Sequence, residues 1–342
     1  MKFPNISMFA LAALGSLLQA QQGTVSGPVT GYIFDPTARA LRPVLGLPGA
    51  SLFGSPIGFG LEAASAFVAP GLDSAVVVAA DGAIHLFSIQ SGAVKELSTD
   101  GLNALSRPLR VVFSPSGSAA ALYAAGSVVV LKGLPNAPAI AASVPLALNA
   151  GTGVSSASSE GRRPEGRVLG KAAAAPPLAL AVSDDASALL VSTGNAIRLF
   201  GSGTDLGKLM DASDNPSMAF AAGGHDAAIA DAGAGVVLFH DVLGAGASQV
   251  ISPPDAANAA PSALAFSSDG KAILLAESAA QIVTQLDLAA GSRTRIPCSC
   301  SPTLMARMGQ VFRLTEQAHD PLWLLDTPAT GPRVVFVPAL QQ

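Results

Sequence analysis

Three of the four histidines stand directly before an aspartate, at His225-Asp226, His240-Asp241 and His319-Asp320. Imidazole and carboxylate are the usual partners in general acid–base chemistry. Neighbouring residues on a strand point to opposite faces, however, so a His-Asp dipeptide is not a dyad by itself. These pairs read as solvated turn residues. The two cysteines form Cys298-Ser299-Cys300. A bridge across one residue is geometrically strained, and a metal site needs a second ligand pair at defined spacing. They read as two small residues in a turn ahead of Pro302, with a redox-active or metal-binding pair as the alternative. No Gly-x-Ser-x-Gly elbow occurs, since Gly15-Ser16 and Gly201-Ser202-Gly203 lack the outer glycines. Gly170-Lys171 and Gly207-Lys208 are not followed by Ser or Thr, so no phosphate loop is present.

The elements that would position any such chemistry recur along the chain. Ala263–Ile296 reads as ALAF, SSDG, KAILLAE, QIVTQLDL, AAGS and RTRI: four apolar runs of strand length broken by turn residues. Comparable units span Ser65–Ser98, Leu109–Gly133 (its last strand in Ala139–Leu148), Leu178–Met210 and Ser217–Ile251. Thr303–Val337 is a divergent last unit. Before them, Tyr32–Asp35 and Leu41–Leu45 form a hairpin-like half unit, and Gly46–Gly60 reads as loop. Phe67, Phe113, Val182, Phe220 and Phe266 lie 46, 69, 38 and 46 residues apart. The outlying interval holds Asn149–Pro177, a stretch rich in Ser, Gly, Ala and Pro without periodicity, which reads as a disordered insertion. The underlying period is near forty.

Composition removes several function classes. Charged residues make up 12 % of the chain and the formal net charge is −4, with no basic block of the kind that neutralises a phosphate backbone. Nucleic acid is therefore not expected as a partner. The longest uncharged runs, Val111–Leu131 and Gly133–Ser159, are interrupted by Pro, Ser and Asn, so no membrane-spanning helix is expected in the mature chain. Lys2, the apolar segment Met8–Leu18 and Ala20 before a polar break have the form of a secretory signal over residues 1–20. The expected location is periplasmic or secreted.

A period near forty with four strands per unit predicts an all-β fold, a β-propeller of six or seven four-stranded blades over residues 24–342 with the insertion at 149–177. The units resemble secreted bacterial propellers of the YVTN and WD40-like type. Phe113-Ser114-Pro115-Ser116-Gly117 and Phe266-Ser267-Ser268-Asp269-Gly270 are similar to that family's F-S-P-D-G turn. No Trp-Asp ends a blade and no Tyr-Val-Thr-Asn occurs. The strand Arg333–Val337 is expected to pair with N-terminal chain and so cover an exposed edge.

The resemblance implies that the first strand of each blade lines a central channel. The loops entering that strand would share one face with the turns between strands two and three. The first strands, read as Val111–Phe113, Leu178–Leu180, Met218–Phe220 and Leu264–Phe266, carry no carboxylate or imidazole, so an apolar channel wall is expected. The implied binding face offers Glu62, Asn103, Asp214 and Asn215 before first strands. Asp81, Asn195, Asp231, His319 and Asp320 fall in second-to-third-strand turns. Lactonase-like propellers hold a divalent cation with such oxygen ligands, which suit a hard ion. Glu62, Asn103 and Asn215 are the candidates for that alternative. The leading expectation is a non-catalytic scaffold or binding module without cofactor, acting on a protein or glycan partner.

Overall fold

The computed structural model describes residues 27–102, 105, 107–146, 179–213, 215–244, 246–254, 261–316, 321–328 and 330–339. The leader expected at 1–20, the insertion expected at 149–177, Asn103, Asp214, His319 and Asp320 lie outside them. All regular structure among the described residues is β: seven antiparallel sheets, six of four strands and one of three. We number them as blades 1 to 7 in chain order.

Blade 1 comprises Val29–Asp35, Ala40–Leu47 and Ala50–Phe53. The innermost strands of blades 2 to 7 are Ala63–Val68, Arg110–Phe113, Leu180–Val182, Ser217–Phe220, Ala263–Phe266 and Ala306–Met308. In each of these six blades the chain steps outward from strand to adjacent strand, so consecutive strands pair as antiparallel hairpins. The first strand of blade 4 begins two residues later than the sequence suggests, at Leu180.

The serine of the F-S-P-D-G-like turn has a definable job. Ser114 Oγ accepts the Ala119 amide at 3.1 Å, Ser183 Oγ the Ala188 amide at 2.9 Å, and Ser267 Oγ the Ala272 amide at 3.0 Å. The aspartate two residues later secures the same loop. Asp185 Oδ1 accepts the Ser183 hydroxyl at 2.6 Å and the Ser187 amide at 3.0 Å. Asp269 Oδ1 accepts the Ser267 hydroxyl at 2.7 Å and the Lys271 amide at 3.1 Å. Ser183 is fully buried, so Ser183→Ala strips partners from a buried amide and should cost about 2 kcal/mol of stability. Urea unfolding of the variant measures this.

The core is divided among the spaces between blades. Seven apolar clusters occur, and each joins one pair of neighbouring sheets. Val76, Leu86 and Leu122 hold blade 2 to blade 3, for example, and Ile197, Phe220 and Ile229 hold blade 4 to blade 5. Ile33 and Val44 of blade 1 pack with Met308, Leu322 and Leu324 of blade 7, which closes the ring. Seven blades in a closed ring are a β-propeller. Ala, Val and Leu fill these spaces because second strands such as Ala119–Ala124 are buried on both faces and have little room for aromatics.

Blade 1 departs from its neighbours in direction. We call the face where the chain enters the innermost strands the upper face, and the face of the first hairpin turns the lower. Arg39, in the first turn of blade 1, pairs with Glu62 just ahead of blade 2, so this turn is on the upper face. At the other end, Thr30 and Gly31 lie against Met308 and Gly309, beside the first turn of blade 7. Val29–Asp35 therefore rises where the other innermost strands descend. Its three strands correspond in direction to the second, third and fourth strands of the other blades. Below it the neighbouring blades meet directly, the Gly309 amide donating to the Pro70 carbonyl at 3.0 Å.

Three sequence expectations change. Arg333–Val337 pairs with Leu322–Asp326 as the fourth strand of its own blade, not with N-terminal chain. That strand has an apolar partner strand next to it in sequence, so local hairpin pairing wins over a distant one. Part of Gly46–Gly60 is a strand, Ala50–Phe53, paired with Val44–Leu47 across a tight turn. Cys298 and Cys300 are joined as a disulfide with Cα atoms 5.0 Å apart, inside the range a bridge requires. Both are buried in the cluster between blades 6 and 7 rather than exposed in a turn.

Candidate functional site

The innermost strands enclose a central cavity of about 550 Å³ to which all seven blades contribute. Most of its lining side chains are apolar, Ile33, Phe67, Val112, Leu180, Met218, Leu264 and Met305 among them, although polar atoms make up nearly half of the exposed wall. The apolar channel expected from the first strands is met in part. The sequence reading overlooked one feature. Arg110, Arg307 and Arg313 also line the cavity, with Glu316 as the single acidic residue and no aspartate or histidine in the lining among the described residues.

These guanidinium groups are held differently. Arg110 is the first residue of its innermost strand, at the upper mouth on blade 3, and is exposed. Arg313 lies opposite Ala306, the first residue of the innermost strand of blade 7, and so stands at the upper mouth across the ring. Arg313 Nη2 reaches Glu316 Oε2 at 3.3 Å, while its Nε is buried without a hydrogen-bond partner among the described residues. Arg307 Nε donates to the Gly309 carbonyl at 3.1 Å, toward the lower turn. A signal was present in the sequence: Arg110 directly precedes Val111-Val112-Phe113.

Glu62 and Asn215 both precede innermost strands on the upper face, in blades 2 and 5. The Glu62 carboxylate is paired with Arg39, and Asn215 adopts a left-handed backbone with φ of 60° ahead of Pro216. No group of three or more His, Cys, Asp or Glu suited to a metal ion occurs among the described residues. Asp231 sits apart from any solvent-facing set. It is 4 % exposed, and its carboxylate accepts the Ser213 amide at 2.6 Å, the Ser213 hydroxyl at 2.7 Å, and the Gly233 and Ala234 amides at 2.9 and 3.0 Å.

The lower face gathers a second polar group that sequence reading dismissed. Ser187 Oγ is 2.9 Å from His225 Nε2, and His225 Nδ1 is 3.6 Å from Asp241 Oδ1. That is the order of a nucleophile, a base and an orienting carboxylate. Two observations make it a brace between blades 4 and 5 instead. Asp185 Oδ2 lies 2.7 Å from Ser187 Oγ and 3.1 Å from His225 Nε2, placing negative charge where an oxyanion would form. Nearby amides are already spent: Ser187 on Asp185, Ala188 on Ser183 and Gly223 on Asp184. Without donors preset for developing negative charge, an acyl-transfer site lacks its main source of stabilisation. The other dipeptide interlocks with this one, His240 Nδ1 lying 3.2 Å from Asp226 Oδ2. The hairpin register explains the pairing, since Ala227 opposes Phe239 and the next pair outward is Asp226 with His240.

Burial pushes the Asp184 and Asp185 carboxyls up, but hydrogen bonding outweighs it and holds both below the ordinary carboxylate range. Asp184 receives the Ser116 hydroxyl and amide from blade 3 and the Gly223 amide from blade 5, so one side chain ties three blades.

No protein-family model matches the chain, and no curated protein sequence matches it. Solved structures do. A protein of unknown function from Desulfotomaculum acetoxidans aligns with a TM-score of 0.57 at 12 % identity, covering 90 % of this chain and 94 % of its own. The likeness is one of fold. A Bacteroides fragilis protein described as a candidate 6-phosphogluconolactonase aligns at 0.55 and 14 % identity, over 90 % and 92 % of the two chains. A chain of the mitotic checkpoint complex aligns at 0.51 and 10 % identity, over 89 % and 84 %. Proteins of such different description on one ring show that the architecture is shared while the sites differ. No helix among the described residues is long and apolar enough to cross a membrane.

Proposed function

We propose that this is an exported, non-catalytic binding propeller, of the YVTN and WD40-like kind in its turns, whose ligand occupies the central channel. The observation that carries this reading is the cavity of about 550 Å³ bounded by all seven blades, most of whose lining side chains are apolar. That volume is in the range of small-molecule sites, which are typically apolar with a few placed polar groups. Removing an apolar ligand surface from water contributes roughly 25 cal/mol per Å² buried, and the wall supplies that surface without needing a catalytic group.

A neutral solvatochromic dye such as Nile red tests the reading. Saturable blue-shifted fluorescence is expected with the mature protein, unchanged by EDTA. It should be lost in Ala222→Phe or Ala306→Phe, two exposed lining alanines whose enlargement narrows the channel. Binding that persists in both folded variants would place the dye outside the channel and sink the proposal. Dependence on a divalent cation would instead favour the lactonase-like alternative built on Glu62, Asn103 and Asn215.

A further inference from the structure

We infer that the channel selects an amphipathic carboxylate, with the anionic head at the upper mouth between Arg110 and Arg313 and the apolar body in the channel below. This rests on the channel-binding reading and adds the ligand's charge and orientation. Among the described residues the charges that line the cavity are Arg110, Arg307, Arg313 and Glu316, three positive against one negative. The chain as a whole carries a formal charge of −4, so this basic lining runs against the overall balance. A like-signed set of charges inside low-dielectric walls concentrates ions of opposite sign.

Two of the arginines also share one mouth of the channel. Arg110 and Arg313 begin or face the start of innermost strands on blades 3 and 7, which stand across the ring from each other at the same mouth. Arg110 takes part in no ion pair among the described residues. Arg313 has one arm on Glu316, and its side chain is still partly exposed at the mouth. A guanidinium fork matches the geometry of a carboxylate, and Arg110 presents one that no described acidic group occupies. Arg307 is directed down to the Gly309 carbonyl, leaving the upper pair as the head-group site. Beneath that pair the innermost strands bring Val112, Met218 and Leu264 to the lining, which suits a hydrocarbon or aryl body.

The test compares decanoate with decanol by calorimetric titration of the mature protein at low salt. Decanoate should bind at least tenfold more tightly, with the preference shrinking as salt is added. Arg313→Ala and Arg110→Ala should each reduce that preference about tenfold while leaving decanol affinity unchanged. Arg110 is exposed, so its variant remains informative if Arg313→Ala misfolds. Equal affinity for acid and alcohol, or a preference untouched by either substitution, overturns the carboxylate assignment while the channel-binding reading stands. If neither compound nor the neutral dye binds, the channel reading itself falls and this inference falls with it.

Discussion

Leu324→Ala should destabilise the ring by about 3 kcal/mol, and the seam between blades 7 and 1 should be the first part of the native protein to open. Leu324 is fully buried and packs with Ile33, Val44 and Met308 across the closing interface. Truncation removes its transfer free energy and leaves a cavity that rigid sheets on both sides cannot close. The seam is weak for a topological reason. Arg333–Val337 completes its own blade, so among the described residues no strand crosses from the last blade to the first. Apolar packing and the Gly309–Pro70 hydrogen bond hold it instead, the latter linking blade 7 to blade 2. Blade 1 also brings only three described strands to the joint. Native-state hydrogen exchange reads the consequence: amides of Val29–Asp35 and Ala40–Leu47 should exchange at lower free energy than those of Ala188–Thr193 in blade 4. Equal protection of the two regions would mean that the ring opens as one unit.

The second large effect is on acid stability. Burial pushes the Asp231 carboxyl up, and the Ser213 hydroxyl and amide with the Gly233 and Ala234 amides outweigh it, holding the group below its ordinary range. Asp184 and Asp185 are lowered in the same sense. A carboxylate with a folded pKa below its unfolded value binds protons more readily in the unfolded chain. Its stabilising contribution is complete above the unfolded value, near 4, and is lost as pH falls toward the folded one. The melting temperature should therefore be flat near neutrality and fall steeply below about pH 4. Asp231→Asn should lower it at pH 7, because charge-assisted hydrogen bonds become neutral ones, and should flatten the acid limb. An unaltered acid limb in both Asp231→Asn and Asp184→Asn would show that other groups govern acid unfolding.

Apolar runs and turn residues determined the β class, a blade count of six or seven and the strand boundaries of most units; the third strand of blade 1 and the closed ring made it seven. Strand pairing here is local, and four short runs at a period near forty leave few other ways to bury two-faced apolar strands. The F-S-x-x-G turns were legible for the same reason: their serine and aspartate act within five residues of their own position. Tertiary structure alone decided what lies far apart in sequence. The Ser187–His225 and Asp184–Gly223 contacts join residues 38 and 39 positions apart and exist only once blades stand side by side. The upward course of Val29–Asp35 rests on Arg39 meeting Glu62 and on Gly31 meeting Met308, which no local pattern encodes. The three arginines of the channel look, in sequence, like ordinary charges at strand ends. Only the closing of the ring sets them around one cavity, because curvature, not periodicity, brings blade 3 opposite blade 7.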